Sequence, residues 1–256
     1  PLTQPAGVAL ASFDAGLLPA ERATAMRNAP SPASGQALHD DVGMASAALS
    51  YEVTLPPHGS VVLGAVLPMA GEAASPAPVR PAPQGDPAGW LTGQQEQVAA
   101  GWRARLNQVK LSLPASGQHM ADTLRSSLAH ILMTREGDAL QPGTRSYRRS
   151  WIRDGAMMSE ALLRLGQAET AASYLRWYAP YQFDNGKVPC CVDSRGADPV
   201  PENDSHGELI FLAAELHRYT QDKAALAAAW PRIEAAANYM EKLRQSERMD
   251  ANRAAG

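Results

Sequence analysis

Two loops crowded with polar side chains hold the residues best suited to chemistry in this chain. The first reads Gly143-Thr-Arg-Ser-Tyr-Arg-Arg-Ser-Trp-Ile-Arg-Asp-Gly155. It sets Arg145, Arg148, Arg149 and Arg153 among Tyr147, Trp151 and Asp154. Arginine presents a rigid fork of donors. A carboxylate such as Asp154 accepts from vicinal hydroxyls. Tryptophan offers a flat apolar face that suits the C–H side of a pyranose ring. Donor fork, acceptor and platform together make a saccharide subsite. The simpler reading keeps Asp154 as a helix N-cap, with Arg153 pairing to another loop.

The second loop runs from Asn185 to Glu208 and carries Asp193, Asp198, Glu202, Asp204, His206 and Glu208. Hydrolysis of a glycosidic bond needs one protonated and one ionised carboxyl group. Crowded carboxylates favour that split, because like charges oppose double ionisation. Glu202 and Asp204 stand just before a helix, where its dipole favours the ionised form. That suits Asp204 as a cap or hydroxyl acceptor better than as a general acid. Capping and solvated-loop roles compete with catalysis for these residues. Asp198, Glu202, Asp204 and His206 could surround a hard cation, but they lack the spacing and mid-loop glycine of a calcium loop, so no metal is expected. Cys190 and Cys191 are adjacent, read as free thiols beside a turn, and are too few to hold zinc. No phosphate loop, dinucleotide glycine pattern or nucleophile elbow occurs, so no cofactor is expected.

The elements that position these loops follow from hydrophobic period. From residue 89 onward apolar residues recur at helical spacing. The pattern predicts helices over Trp90–Val109 and Met120–Met133, the latter with Met120, Leu124, Leu128, Ile131 and Leu132 inward. It predicts a third from Asp154, its proposed cap, to a stop at Gly166. Further helices are expected over Glu169–Tyr178, from Asp204 or Ser205 to Tyr219, and from an Asp222 cap through Leu226, Trp230, Ile233, Ala237 and Met240. Short and long connections alternate, so one face of a stack of helix pairs is trimmed and the other carries 137–153 and 181–204. Loops gathered on one rigid face are where chemistry concentrates.

Residues 1–70 read instead as strands. Leu49–Leu55 alternates, Pro56-Pro-His-Gly59 turns, and Ser60–Leu67 forms the second arm of a hairpin, with Gly7–Phe13 as a third strand. A lone hairpin is marginal in water, so this is expected to be the end of a larger sheet. Residues 71–88, rich in Ala, Pro and Gly, read as a linker.

The chain has 256 residues, 45% hydrophobic, with net charge −3. A core can form. No basic excess points to nucleic acid, and no apolar run is long enough to span a membrane. The chain starts at Pro1 without a leader pattern, so a longer parent protein is expected; the compartment stays open.

Taken together, the sequence resembles the six-hairpin glycosidase superfamily, which includes glucoamylases, trehalases and glycogen-debranching glucosidases. Trp151-Ile-Arg-Asp-Gly155 looks like the tryptophan–x–arginine–aspartate segment of its glucoamylase-like members. Glu202-Asn-Asp-Ser-His-Gly207 looks like the acidic opening of an inner helix in debranching-type members, and Arg218-Tyr-Thr-Gln-Asp222 like the turn that ends it. The resemblance implies a mainly α fold: a partial (α/α)6 toroid over 114–256, a linker with helix over 71–113, and the remnant of a β-sandwich over 1–70. It implies a glycoside hydrolase, inverting, acting on an oligo- or polysaccharide. Trp151, Arg153, Asp154 and His206 would bind the sugar, and Asp204 and Glu202 are the candidates for proton transfer. It also implies that the other half of the toroid, with the general base, lies outside this chain, leaving an exposed apolar edge. A non-catalytic saccharide-binding or scaffold protein on the same fold is the main alternative. A helical-repeat interaction module is disfavoured by the irregular spacing of the pairs.

Overall fold

A computed structural model describes residues 3–12, 38–65, 86–246 and 248–254. The chain divides into two compact units, Pro1–Ala100 and Gly101–Gly256. The described residues are mainly helical, with two small antiparallel sheets.

In the first unit, β1 (Gly7–Ala11) pairs antiparallel with β2 (Ser46–Ser50), in register Gly7↔Ser50 to Ala11↔Ser46. Thr3 extends the join, donating its N–H to Gly64 O at 3.2 Å and accepting the Gly64 N–H on Oγ1 at 3.1 Å. This differs from the expected hairpin. The Pro56–Gly59 turn does form, with the Gly59 N–H on Pro56 O at 2.8 Å. Its flanks are not strands: β2 ends at Ser50 and 51–55 and 60–65 carry no ladder. Two consecutive prolines contribute no N–H to a ladder, and β1 supplies the partner that β2 requires. Expected strand residues Phe13, Val66 and Leu67, and most of the proline-rich linker, lie outside the described residues.

The first helix, α1 (Pro87–Leu106), begins three residues earlier than its apolar pattern suggests. Asp86 caps it, accepting the Gly89 N–H on Oδ1 at 2.8 Å, and Pro87 occupies the first helical position, where a missing N–H costs nothing.

The second unit contains α2 (Gln118–Thr134), β3 (Ser150–Trp151), α3 (Ile152–Arg164), α4 (Ala168–Tyr178), β4 (Cys191–Asp193), β5 (Gly196–Ala197), α5 (Ser205–Thr220), α6 (Lys223–Ser246) and α7 (Asp250–Ala254). Its core joins Leu128 and Leu132 of α2, Ile152, Ala156 and Leu162 of α3, Tyr174, Leu175 and Tyr178 of α4, Leu209, Leu212 and Leu216 of α5, and Ala229 and Ala236 of α6. Each fully buried leucine contributes roughly 1.5–3 kcal/mol.

The inward registers of two helices differ from expectation. Met120 and Leu124 of α2 are exposed, so only the second half of that stripe is buried. In α6, Trp230 is 55% exposed and Ala229 and Ala236 turn inward instead. Two small residues there let α6 approach α5 closely, which leaves the bulky indole on the far side. Pro231 within α6 also withholds one backbone donor from its helix.

Short links close two antiparallel pairs. Gly166, at φ 81°, ends α3, while Gln167 donates its N–H back to Leu162 O at 2.8 Å, a glycine-terminated helix end. Gln221, at φ 55°, ends α5, and Asp222 Oδ1 then caps α6 through the Ala224 and Ala225 N–H groups at 2.9 and 3.0 Å. The helices α3 and α5 lie side by side and run the same way. Arg153 at the start of α3 meets Asp204 at the start of α5. At the other ends, Arg164 feels Tyr219 and Glu215. Both long loops therefore emerge at one end.

There they are stitched together. β3 belongs to the first loop, β4 and β5 to the second, in the order β3-β4-β5. The register sets Ser150 against Val192 and Trp151 against Cys191. The Ile152 N–H also reaches Cys190 O at 3.1 Å.

Candidate functional site

At the end of the helices where the loops meet, Arg153 clasps two carboxylates. Its Nη2 donates to Glu202 Oε2 at 2.7 Å and its Nε donates to Asp204 Oδ2. The fork comes from the first turn of α3 and the acids from the run-in to α5. Side-chain exposure is 47% for Arg153, 34% for Glu202 and 41% for Asp204. At that exposure each pair is worth about 0–1 kcal/mol to folding. The cluster is thus cheap to reorganise around a ligand.

The Arg153 guanidinium holds the Asp204 carboxyl below the ordinary carboxylate range against a smaller opposing effect of burial. Asp204 is therefore ionised at neutral pH. Asp204 stands at the N-cap of α5 without a side-chain capping bond, and its Oδ2 accepts from Arg153. Asp154 is not the cap of α3. Trp151 occupies that position, and Asp154 sits within the first turn.

One turn along α5, Glu208 has the opposite character. Burial, reinforced by the negative charge of Asp204, pushes its carboxyl upward. Asp204 and Glu208 share an open cavity of about 580 Å³ whose other walls include Met157, Glu160, Phe211 and Met240. One carboxyl held ionised beside one pushed toward protonation is the division of labour that acid–base chemistry needs. By residue type Glu208 is one more carboxylate of the second loop, and nothing local sets it above Glu202 and Asp204. The signal it does carry is its place four residues after Asp204, on the same face as apolar Phe211.

The remaining expected ligand contacts fall elsewhere. The Trp151 ring meets the Arg149 guanidinium at 5.6 Å and the Tyr147 ring at 6.3 Å. Asp154, half-buried, lies near enough to the Tyr174 phenol to raise its pKa further, after burial has done most of that. Gly155 makes room for that phenol, which receives a hydrogen bond from Ser150 Oγ and donates to Trp151 O, both at 3.3 Å.

His206 is a correction. It is 1% exposed, so its ring cannot contact a sugar in this conformation. Its Nδ1 accepts the Val188 N–H at 3.1 Å and its ring stands edge-on to Tyr239 at 4.8 Å. Burial lowers its pKa, so the neutral ring acts as a strut between the second loop and α6.

The cations of the first loop are mostly spent. Arg148 forks onto Glu136 at 2.6 and 3.1 Å. Arg149 Nη2 reaches Asp198 Oδ2 at 2.6 Å, while its Nε lies 2.9 Å from Asp193 Oδ2, an ion-pair contact without hydrogen-bond alignment. Arg195 Nη2 closes on Asp193 Oδ2 at 2.6 Å and, as the largest influence, holds that carboxyl far below its ordinary range.

The metal ligands considered from the sequence are not gathered, since Asp198 is paired with Arg149 and His206 is committed to Val188. Among the described residues, Cys190, Cys191 and Asp198 do place donor atoms within 4.8 Å of one another. Burial pushes the Cys191 thiol up to about 12, which keeps it a poor ligand at neutral pH. The two sulfurs lie 3.3 Å apart as free thiols.

Comparison with protein-family models, with curated proteins and with solved structures gives no match for this chain.

Proposed function

We propose that the Gly101–Gly256 unit is part of an (α/α)6 toroid and that the protein is a glycoside hydrolase of the six-hairpin type, acting on an oligo- or polysaccharide. The observation that carries this reading is the Arg153–Glu202–Asp204 cluster. It stands solvent-facing at the common starting end of two parallel helices, beside a cavity that contains a carboxyl pushed toward its protonated form. Parallel α3 and α5, each closed onto an antiparallel partner by a short link, fit the inner layer of such a toroid. The first unit is read as the end of a β-sandwich on the same grounds of layout.

In this proposal Arg153 donates to sugar hydroxyls while Glu202 and Asp204 accept from them. Asp154 supplies a further acceptor, and Trp151 shapes the rim. The proton donor is Glu208 rather than Asp204, because Arg153 keeps Asp204 ionised. An inverting mechanism would place the base across the sugar, about 6.5–9.5 Å from the acid. The ionised Asp204 favours one other reading, a saccharide-binding protein without hydrolysis.

The test measures affinity and release of reducing ends on a panel of neutral and acidic oligosaccharides. Arg153→Ala is expected to weaken binding at least about tenfold, the equivalent of roughly 1.4 kcal/mol. Glu208→Gln is expected to keep affinity and lose turnover. Binding without turnover in the unaltered protein selects the binding-protein reading. Unchanged affinity in Arg153→Ala refutes the site.

A further inference from the structure

A second cleft, of about 690 Å³, opens where the first long loop faces the β4–β5 turn. Its lining includes Arg145, Arg148, Arg149, Arg195, Gln141 and the half-buried indole of Trp177. The charges here do not cancel. Arg148 is matched by Glu136, and Arg149 and Arg195 by Asp193 and Asp198. Four guanidiniums thus meet three carboxylates. The cation left over is Arg145, which among the described residues has no ion-pair partner. Its backbone sits in the left-handed region at φ 58°, a conformation a non-glycine residue adopts only when its surroundings hold it there.

We infer that this cleft is a binding site for a saccharide carrying a single carboxylate, such as a terminal uronate. Arg145 would meet the carboxylate as a planar two-point donor, the geometry in which a guanidinium discriminates best. Trp177 would face the sugar ring. Its indole packs against Tyr174 at 6.1 Å, Tyr178 at 5.9 Å and Tyr181 at 5.3 Å, contacts that restrict its motion. Gln141, Ser146 and Ser194 add neutral hydrogen-bonding groups at the wall. The three carboxylates Glu136, Asp193 and Asp198 leave Arg148, Arg149 and Arg195 neutralised, which limits the site to one ligand charge. That separates it from a polyanion groove, where several unpaired cations would follow a backbone.

This inference rests on the saccharide reading for the ring alone. The excess charge stands without it, and none of its residues belongs to the Arg153 cluster. The experiment titrates the full chain with a disaccharide ending in glucuronate, its neutral counterpart ending in glucose, and inorganic phosphate. The uronate disaccharide is expected to bind at least about tenfold tighter than the neutral one. Arg145→Ala should remove that preference, and Trp177→Ala should weaken both sugars. Arg153→Ala should leave the preference intact. Equal affinity for the charged and neutral disaccharides would overturn the proposal, as would phosphate binding as tightly as the uronate, or no binding by any of the three. A preference that survives Arg145→Ala but vanishes in Arg153→Ala would assign the charge to the other site and overturn it too.

Discussion

Replacing Gly155 with alanine should destabilise the second unit without touching an exposed residue of the candidate site. Gly155 lies in the first turn of α3, and its φ is not in the left-handed region, so the backbone alone would accept alanine. The obstacle is Tyr174. A Cβ at position 155 would fall closer than 3.0 Å to the phenol oxygen, Cζ and Cε1 of that ring. Tyr174 is completely buried and packed against Tyr178 at 5.5 Å and Trp177 at 6.1 Å. The ring cannot swing aside, so either it or α3 must retreat. Overpacking of this kind costs about 1–3 kcal/mol. Displacing the phenol also loosens its bonds with Ser150 and Trp151, worth about 1 kcal/mol each. Helix propensity returns roughly 1 kcal/mol. The net loss is about 2–4 kcal/mol, or about 4–16 °C in melting temperature for a unit of this size. Thermal unfolding followed by circular dichroism reads it. The control is Gly207→Ala on α5, where an added Cβ meets nothing within 4 Å and should be neutral or stabilising. A Gly155→Ala protein that melts within about 1 °C of wild type refutes the packing argument.

Two further predictions follow from buried titratable groups. Burial holds the folded-state pKa of His206 below its ordinary 6.5, so between those values the unfolded chain binds the extra proton. Stability from this group is therefore full above about pH 6.5 and is lost as pH falls toward the folded value. Melting temperature measured from pH 7.5 to pH 5 should decline in the wild type and decline less in His206→Gln, whose carbonyl can still accept from Val188; parallel slopes would contradict this. Cys190 and Cys191 are both buried, and the Cys191 thiol is pushed up to about 12. Ellman's reagent at pH 7.5 should label neither in the native protein and both after unfolding, whereas rapid native labelling would show that the paired loops open.

Most helix ends were legible in the sequence because their signals are local. Gly166 and Asp222 act where residue chemistry alone places a stop and a cap. Burial was less legible because it depends on partners far along the chain. Trp230 looks like core by spacing, yet the small side chains of Ala229 and Ala236 give α6 its contact face. His206 looks like a ligand in a polar run, yet a backbone donor eighteen residues away draws it inside. The β3-β4-β5 sheet could not be read at all, since strands of two or three residues carry no period. In the candidate site, residue types single out Arg153, Glu202 and Asp204, and the structure shows that these three side chains meet. The division of charge between Asp204 and Glu208 was not legible, because it comes from the Arg153 fork on one and burial of the other.

The most direct test of the account is where a saccharide sits. The tightest-binding member of the oligosaccharide panel is titrated into the isotopically labelled full chain, following the Arg153 Nε–H and the backbone amides from Glu202 to Glu208 by nuclear magnetic resonance. The account predicts saturable shifts at those groups, with the amides of Lys242–Ser246 on α6 unmoved. A panel in which nothing binds, or a bound saccharide that leaves Arg153 and 202–208 unshifted, would contradict it.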